Sequence, residues 1–234
     1  MAAGAHSGIT RQVLRGRFIT FEGGEGSGKS THAKVLAEHL KSLGIDLIHT
    51  REPGGSPGAE VIRHIILSGI AKPLGAETEA VLFAAARDDH VRTVIRPALV
   101  EGKWVICDRF IDSTRAYQGI LGKVDMKLIR GLERVTVGAA MPDLTFVLDV
   151  PATVGLARAK TRRGEGKADR FEAESVEFHE ELRRAFRTLA TEEPRRIHII
   201  DGRPPRDVVA ERIWEIVERR LLPEAARLNE DAAP

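Results

Sequence analysis

Cysteine is almost missing from this sequence. Cys107 is the single one, so no disulfide can form within the chain, and we expect a reducing compartment, the cytoplasm. No apolar run approaches the roughly 18 residues that a membrane span needs, so no membrane partner is expected. The formal net charge is only +2, which predicts no binding to nucleic acid. The N-terminus lacks the apolar stretch of a secretory signal. Its arginines and lack of acids would suit a transit peptide, but a flexible extension over 1–15 is preferred.

What the sequence does contain is a phosphate-binding loop. Residues 18–21 (FITF) predict a short strand, and 23–30 match G-x-x-x-x-G-K-[ST] directly before a helical run. Lys29 would reach the β- and γ-phosphates of a nucleotide, and Ser30 would offer a hydroxyl to Mg²⁺. A Gly-rich turn without function is the alternative, and the order of strand, loop and helix argues against it. The predicted ATP-binding residues are Gly23, Gly24, Glu25, Gly26, Ser27, Gly28, Lys29, Ser30 and Thr31.

Strand and helix patterns alternate along the rest of the chain. We predict strands at 18–21, 46–50, 103–107, 144–150 and 197–201, and helices at 28–43, 59–67, 76–101, 126–140, 175–191 and 206–222, with one more after Pro151. Pro97 predicts a kink or break near Arg96. The pattern is that of an α/β fold, a doubly wound five-stranded parallel sheet with helices on both faces. One domain over 16–222 is expected, followed by a frayed tail at 223–234.

Several polar residues follow the predicted strands, and such sheets bind ligands beyond the carboxyl ends of their strands. Asp108 ends a buried strand and could position Mg²⁺ together with Ser30. A buried strand can also end in Asp without any function. Arg109 beside it, and Arg51 in a Pro-Gly-Gly turn, are suited to hold a second phosphate group. A lone arginine would be read as a surface residue; two at strand ends beside a phosphate loop favour a clamp.

A base-binding pocket is the hypothesis for the next group. Phe83 and Arg87 are four residues apart and share a helix face, where a ring could stack on a base and a guanidinium could bind its edge. From spacing alone Phe83 is more often a core residue. Thr114, Tyr117 and Gln118 form a polar segment soon after Asp108 that could line the same pocket.

Basic residues crowd the segment 158–172. A charge run is usually a solvated helix face, but two glycines interrupt this one, and a short basic lid over phosphates is preferred. The residues concerned are Arg158, Lys160, Arg162, Arg163, Lys167 and Arg170, with Gly164 and Gly166 as hinges.

Seven motifs in this order closely resemble bacterial thymidylate kinase, over about residues 17–220: FEGGEGSGKST, TREPGGSPGAE, AARDDH, VICDRF, STRAYQG, PDLTFVLDV and DRFE. The resemblance implies a P-loop kinase fold and a role for Glu25 in accepting a hydrogen bond from the 3′-hydroxyl of dTMP. It implies that Phe83 stacks on thymine and that Arg87 binds its carbonyl. It implies that Thr114 and Gln118 contact the base edge, and we include Tyr117 among the substrate-binding residues. It also implies that Arg51 and Arg109 bind the dTMP phosphate. Asp108 organises the metal, and Glu172 is an acid at the end of the lid.

The resulting expectation is a kinase that phosphorylates dTMP to dTDP with ATP and Mg²⁺, on the way to dTTP. The acceptor phosphate is largely dianionic at neutral pH, so no general base is required. The predicted catalytic residues are Lys29, Asp108, Arg109, Arg162 and Arg163; the last two are included because positions 24–27 of the loop supply no positive charge. The alternatives are a P-loop deoxynucleoside kinase and a non-enzymatic nucleotide switch. The resemblance also implies a homodimer.

Overall fold

The computed structural model describes residues 16–164 and 170–230, with side chains as far as residue 222. The predicted extension at 1–15 lies outside these ranges. Five parallel strands form one sheet in the order β2-β3-β1-β4-β5. They are β1 (Phe18–Glu22), β2 (Leu47–Arg51), β3 (Trp104–Asp108), β4 (Leu144–Asp149) and β5 (Ile197–Asp201). The doubly wound five-stranded sheet predicted from the alternating pattern is confirmed.

Helices follow the strands and cover both faces of the sheet. They are α1 (Lys29–Ser42), α2 (Pro57–Leu67), α3 (Gly75–His90), α4 (Arg96–Val100), α5 (Ile111–Thr114), α6 (Met126–Thr136), α7 (Ala152–Arg163), α8 (Val176–Glu192) and α9 (Arg206–Glu230). A 3₁₀ turn (Lys72–Leu74) precedes α3, and π-helical turns (Val91–Ile95 and Arg115–Leu121) follow α3 and α5. Among the residues described, no helix is both long and apolar enough to cross a bilayer.

The core explains why the strands read as apolar runs. Successive side chains of a strand point to opposite faces, so a strand covered on both faces must be apolar throughout. On one face Ile19 and Phe21 pack with Leu36 and Leu40 of α1 and with the apolar side of α9. On the other face Phe18 packs against the π turn and α4. Every residue of β1 is buried as a result.

The register of the strands brings their carboxyl ends level at one edge. Asp108 of β3 pairs with Phe21 of β1 on one side and with Arg51 of β2 on the other. The chain segments that leave these three strands therefore start side by side. This is the edge at which the sequence predicts the ligand site.

Several elements differ in detail from the sequence prediction; for example, the helix predicted at 126–140 ends at Thr136. The interruption expected near Arg96 is a π-helical turn that ends at Ile95, directly before the helix that contains Pro97. Residues 111–121 are helical, whereas no helix is predicted there from the sequence. The last helix extends to Glu230 rather than ending at Leu222.

Candidate active site

A cavity of about 340 Å³ opens at the carboxyl edge of the sheet. Its walls come from the phosphate loop, the segments after β2 and β3, helix α3, the π turn after α5, and Arg162 and Phe171 of the predicted lid. All eight residues predicted to bind the acceptor line it: Glu25, Arg51, Phe83, Arg87, Arg109, Thr114, Tyr117 and Gln118. Lys29, Ser30, Thr31, Asp108 and Arg162 line it as well.

The phosphate loop packs directly on the backbone of α7. Gly26 has a φ of +64°, and a Cβ atom there would lie 1.9 Å from the carbonyl oxygen of Gly155. A Cβ on Gly155 would in turn lie 2.3 Å from the carbonyl oxygen of Glu25. Only glycine fits at either position, because contacts under 3.0 Å with backbone atoms cannot be relieved by side-chain movement. The loop is therefore held against the helix that leads into the lid.

Lys29 begins α1 and points back into the loop. Its Nζ donates a hydrogen bond of 2.7 Å to the carbonyl oxygen of Gly24. Burial, and next the positive charge of Arg109, lower the pKa of Lys29 to about 8. An anion beside Nζ would favour the charged form, so this ammonium group is suited to bind phosphate.

Ser30 and Asp108, the two predicted metal ligands, lie together at the cavity wall. The Ser30 hydroxyl donates to Oδ2 of Asp108, while Oδ1 of Asp108 is buried and finds no hydrogen-bond partner among the described residues. In the part of the chain described, no three His, Cys, Asp or Glu side chains form a metal-binding group. Mg²⁺ at nucleotide sites is typically held by one or two protein oxygens together with phosphates and waters. This pair of residues fits such an ion.

Glu25 and Arg109 form an ion pair inside the cavity. Burial alone would raise the pKa of Glu25, but the positive charges of Arg109 and then Lys29 outweigh it and hold the pKa at about 2. The Tyr117 hydroxyl lies 3.5 Å from Oε1 of Glu25, and the Arg109 guanidinium lies 5.5 Å from the centre of the Tyr117 ring. Glu25 is thus an ionised hydrogen-bond acceptor at neutral pH.

Arg109 itself has an unusual backbone. Its φ is +67°, a region that residues other than glycine adopt only where the surroundings hold them, and often at functional sites. Nη1 donates to the carbonyl oxygen of Gly23 and to Oγ of Ser113, each at 3.3 Å. The side chain is only 17% exposed. Arg51, which also lines the cavity, is 54% exposed and donates to Glu60 at 2.8 Å.

Arg87 is far more buried than its proposed role suggests. It is 3% exposed, and its Nε donates to Oε2 of Glu52 at 2.8 Å. Its Nη2 donates to the carbonyl oxygen of Phe110 at 3.2 Å and to the Thr114 hydroxyl at 3.0 Å. Oε1 of Glu52 lies within hydrogen-bond distance of Nδ1 of His90, at 3.1 Å. The guanidinium is therefore fixed in one orientation at the cavity wall.

Phe83 lies at the cavity rather than in the core. It is only partly buried, and its ring centre lies 6.4 Å from that of Phe171 on the C-terminal side of the lid. The Phe171 ring lies 5.2 Å from the Tyr117 ring in an edge-on arrangement. Phe171 lines the cavity and was not singled out in the sequence, although it belongs to the DRFE motif.

The arginines of the predicted lid differ in position. Arg162 lines the cavity, is 64% exposed, and lies 3.3 Å from Oε1 of Glu172. Arg163 donates to Oε2 of Glu172 at 2.5 Å and does not line the cavity. Arg170 pairs with Glu79 of α3, and its guanidinium lies 4.7 Å from the Phe171 ring centre. The predicted hinge Gly166 and the basic Lys167 lie outside the described residues.

Comparison with known proteins identifies relatives over nearly the whole chain. The family model described as thymidylate kinase matches residues 21–213. Thymidylate kinase of Afipia carboxidovorans is 59% identical over 91% of this chain and 95% of the relative, and that of Bradyrhizobium diazoefficiens is 57% identical over 94% and 96%. The crystal structure of thymidylate kinase from Ehrlichia chaffeensis matches with a TM-score of 0.69 at 34% identity, covering 86% of this chain and 98% of that one.

Proposed function

The chain belongs to the thymidylate kinase family, which phosphorylates dTMP to dTDP, and from this premise we propose how its own residues bind the two substrates and assist the transfer. The observation that supports the proposal is the shared cavity. Residues suited to a nucleoside monophosphate and the lysine of the phosphate loop face the same space. A donor and an acceptor would therefore meet there.

The acceptor is proposed to bind between α3 and the segments after β2 and β3. Phe83 stacks on the base, and Arg87, with Thr114 and Gln118 near it, hydrogen-bonds the base edge. The ionised Glu25 accepts a hydrogen bond from the 3′-hydroxyl. Arg51 and Arg109 bind the acceptor phosphate, and Tyr117 packs beside Arg109.

The transfer is proposed to proceed by alignment and charge neutralisation. The attacking oxygen belongs to a phosphate that is already ionised at neutral pH, so this chain needs no group to remove a proton. Lys29 and Arg162 stabilise the negative charge that spreads over the γ-phosphoryl oxygens in the transition state. Ser30 and Asp108 would hold Mg²⁺ beside the phosphates of ATP, where it supplies further positive charge and orients them.

One experiment separates this activity from its alternatives. ADP release is measured by a coupled assay with ATP and Mg²⁺ over a panel that contains dTMP, other nucleoside monophosphates and thymidine. We expect dTMP to be the preferred acceptor and thymidine to be inert. Preference for thymidine would indicate a deoxynucleoside kinase, and slow hydrolysis without any acceptor would indicate a nucleotide switch.

A homodimer is also proposed, and exposed aliphatic side chains on adjoining helices support it. Helix α3 packs against both α2 and α6. Val61 of α2, Val81 of α3 and Val135 of α6 are 64%, 47% and 78% exposed. Exposed apolar side chains on helices that pack together often mark an interface. Light scattering after gel filtration should give a dimer for the parent protein and for the control Leu43→Asp, and a monomer for Val61→Asp combined with Val135→Asp.

The place of action is proposed to be the cytoplasm. ATP and deoxynucleotides are found there, and the reducing conditions suit the free, buried thiol of Cys107.

A further inference from the structure

Glu22 is a buried carboxylate at the carboxyl end of β1, behind the wall of the cavity. It is 0% exposed, and both of its oxygens are engaged. Oε1 accepts the N–H groups of Phe110 and Ser113 at 2.7 and 3.2 Å, and Oε2 accepts the Ser113 hydroxyl at 2.6 Å. One carboxylate thus binds three donors of the segment that directly follows Arg109.

These contacts constrain the backbone conformation and the side-chain orientation of Arg109. Two of them fix the backbone immediately after Arg109, whose φ of +67° requires such support. The third fixes the direction of the Ser113 hydroxyl. Since that hydroxyl gives its only proton to Glu22, it offers lone pairs to Nη1 of Arg109, which donates to it at 3.3 Å. Glu22 therefore acts on Arg109 through both the backbone and a side chain.

We propose that Glu22 is a positioning residue that sets the Arg109 guanidinium against the acceptor phosphate. The proposal rests on the role proposed for Arg109 above. Burial and the nearby charge of Asp112 raise the pKa of Glu22 to about 7, while the hydrogen bond from Ser113, the charge of Arg109 and the hydrogen bond from Phe110 favour the ionised form. In that form a carboxylate serves here better than an amide, because it can only accept hydrogen bonds. An amide would place an NH₂ group against the Ser113 hydroxyl, which would then turn its proton away and present a different face to Arg109.

The test begins with Glu22→Gln, which keeps the shape of the side chain and removes its charge. We expect the KM for dTMP to rise at least about tenfold. The substitution weakens the hydrogen bonds to residues 110 and 113, because hydrogen bonds to a charged acceptor are stronger than those to a neutral one. The dissociation constant for ATP should stay within about twofold, because Arg109 is assigned to the acceptor. A parent-like KM for dTMP would overturn the proposal.

A double-mutant cycle with Arg109→Ala separates positioning from a general structural effect. When the guanidinium is absent, Glu22→Gln should change kcat/KM for dTMP by less than about threefold, since the group that it positions is gone. An equal loss in both backgrounds would overturn the role of Glu22 and leave that of Arg109 intact. If Arg109→Ala itself leaves the KM for dTMP unchanged, the proposed acceptor site is wrong instead.

Two further variants serve as a control for general loss of stability and as a substitute should Glu22→Gln fail to fold. Glu133 is a matched control, being a buried carboxylate that binds Arg115 at 2.7 and 2.8 Å outside the cavity. Glu133→Gln should leave the KM for dTMP unchanged even where it lowers the melting temperature. Should Glu22→Gln not fold, Ser113→Ala removes only the side-chain link. It is expected to raise the KM for dTMP about threefold or more without changing ATP binding, and an unchanged KM would overturn the link.

Discussion

The buried pair of Arg87 and Glu52 leads to a prediction that separates stability from base recognition. Both side chains are almost fully buried, at 3% and 4% exposure, and they are joined by a 2.8 Å hydrogen bond. Arg87→Met keeps much of the volume but leaves the buried Glu52 carboxylate with His90 as its remaining side-chain partner among the described residues. Removing one partner of a buried pair costs about 3–5 kcal/mol.

This loss converts into a measurable change of melting temperature. For a chain of this length each kcal/mol shifts the midpoint by about 2–4 °C, so Arg87→Met should lower it by about 6–20 °C. Adding Glu52→Gln removes the unpaired charge and retains an acceptor for His90. The double variant should therefore recover to within about 2 kcal/mol of the parent protein. Calorimetric or circular-dichroism melts measure both variants under the same conditions.

Affinity for dTMP should not recover with stability. Both variants lack the guanidinium, and a hydrogen bond to a charged group contributes about 1.5–3 kcal/mol, so titration calorimetry at low temperature should give dTMP binding at least about tenfold weaker in each. A melting temperature of Arg87→Met within about 2 °C of the parent would refute the buried pair. Recovery of dTMP affinity in the double variant would refute base recognition by Arg87.

Three other outcomes are expected. Lys29→Ala should reduce turnover in the coupled assay at least about a hundredfold with little change in the melting temperature, because Nζ makes one hydrogen bond to a loop carbonyl; retained activity would remove Lys29 from catalysis. Phe83→Ala should weaken dTMP binding by about 1–3 kcal/mol in calorimetry, the usual contribution of stacking, whereas a large loss of stability with unchanged affinity would make it a core residue. Arg162→Gln should lower kcat at least about a hundredfold and leave dTMP affinity unchanged, whereas Arg163→Gln, outside the cavity, should lower kcat only slightly. Equal effects of the two lid variants would contradict this assignment.

The sheet could be predicted because its determinants are local. An apolar run such as residues 103–107 specifies a strand buried on both faces, and the glycines and Lys29 of the loop specify its turn into a helix. The carboxyl edge then follows from topology. Helix α5 escaped prediction because its polar residues are buried by distant partners. Asp112, for example, is held by Arg196 at 2.7 and 2.8 Å.

The positions of buried carboxylates in the site could not be predicted for a related reason. Glu22 and Glu52 each lie within a recognisable motif, but their functions depend on hydrogen-bond donors from other segments of the chain. Glu22 binds residues after β3, and Glu52 binds residues of α3. Hydrogen bonds between residues so far apart in the chain leave no periodic pattern in the sequence from which they could be predicted. The difference between Arg162 and Arg163 likewise depends on which side of α7 faces the cavity.

The backbone contact between Gly26 and Gly155 has a consequence for how such sequences can diverge. Each position excludes a Cβ atom because of the other segment's main chain, so a substitution at one cannot be offset by a change at the other. Chimeras that join the loop of one parent to the α7 helix of another must inherit glycine from both. A library randomised at either position should return only glycine among active clones. Gly24, where a Cβ would meet nothing within 4 Å, should return alanine as well.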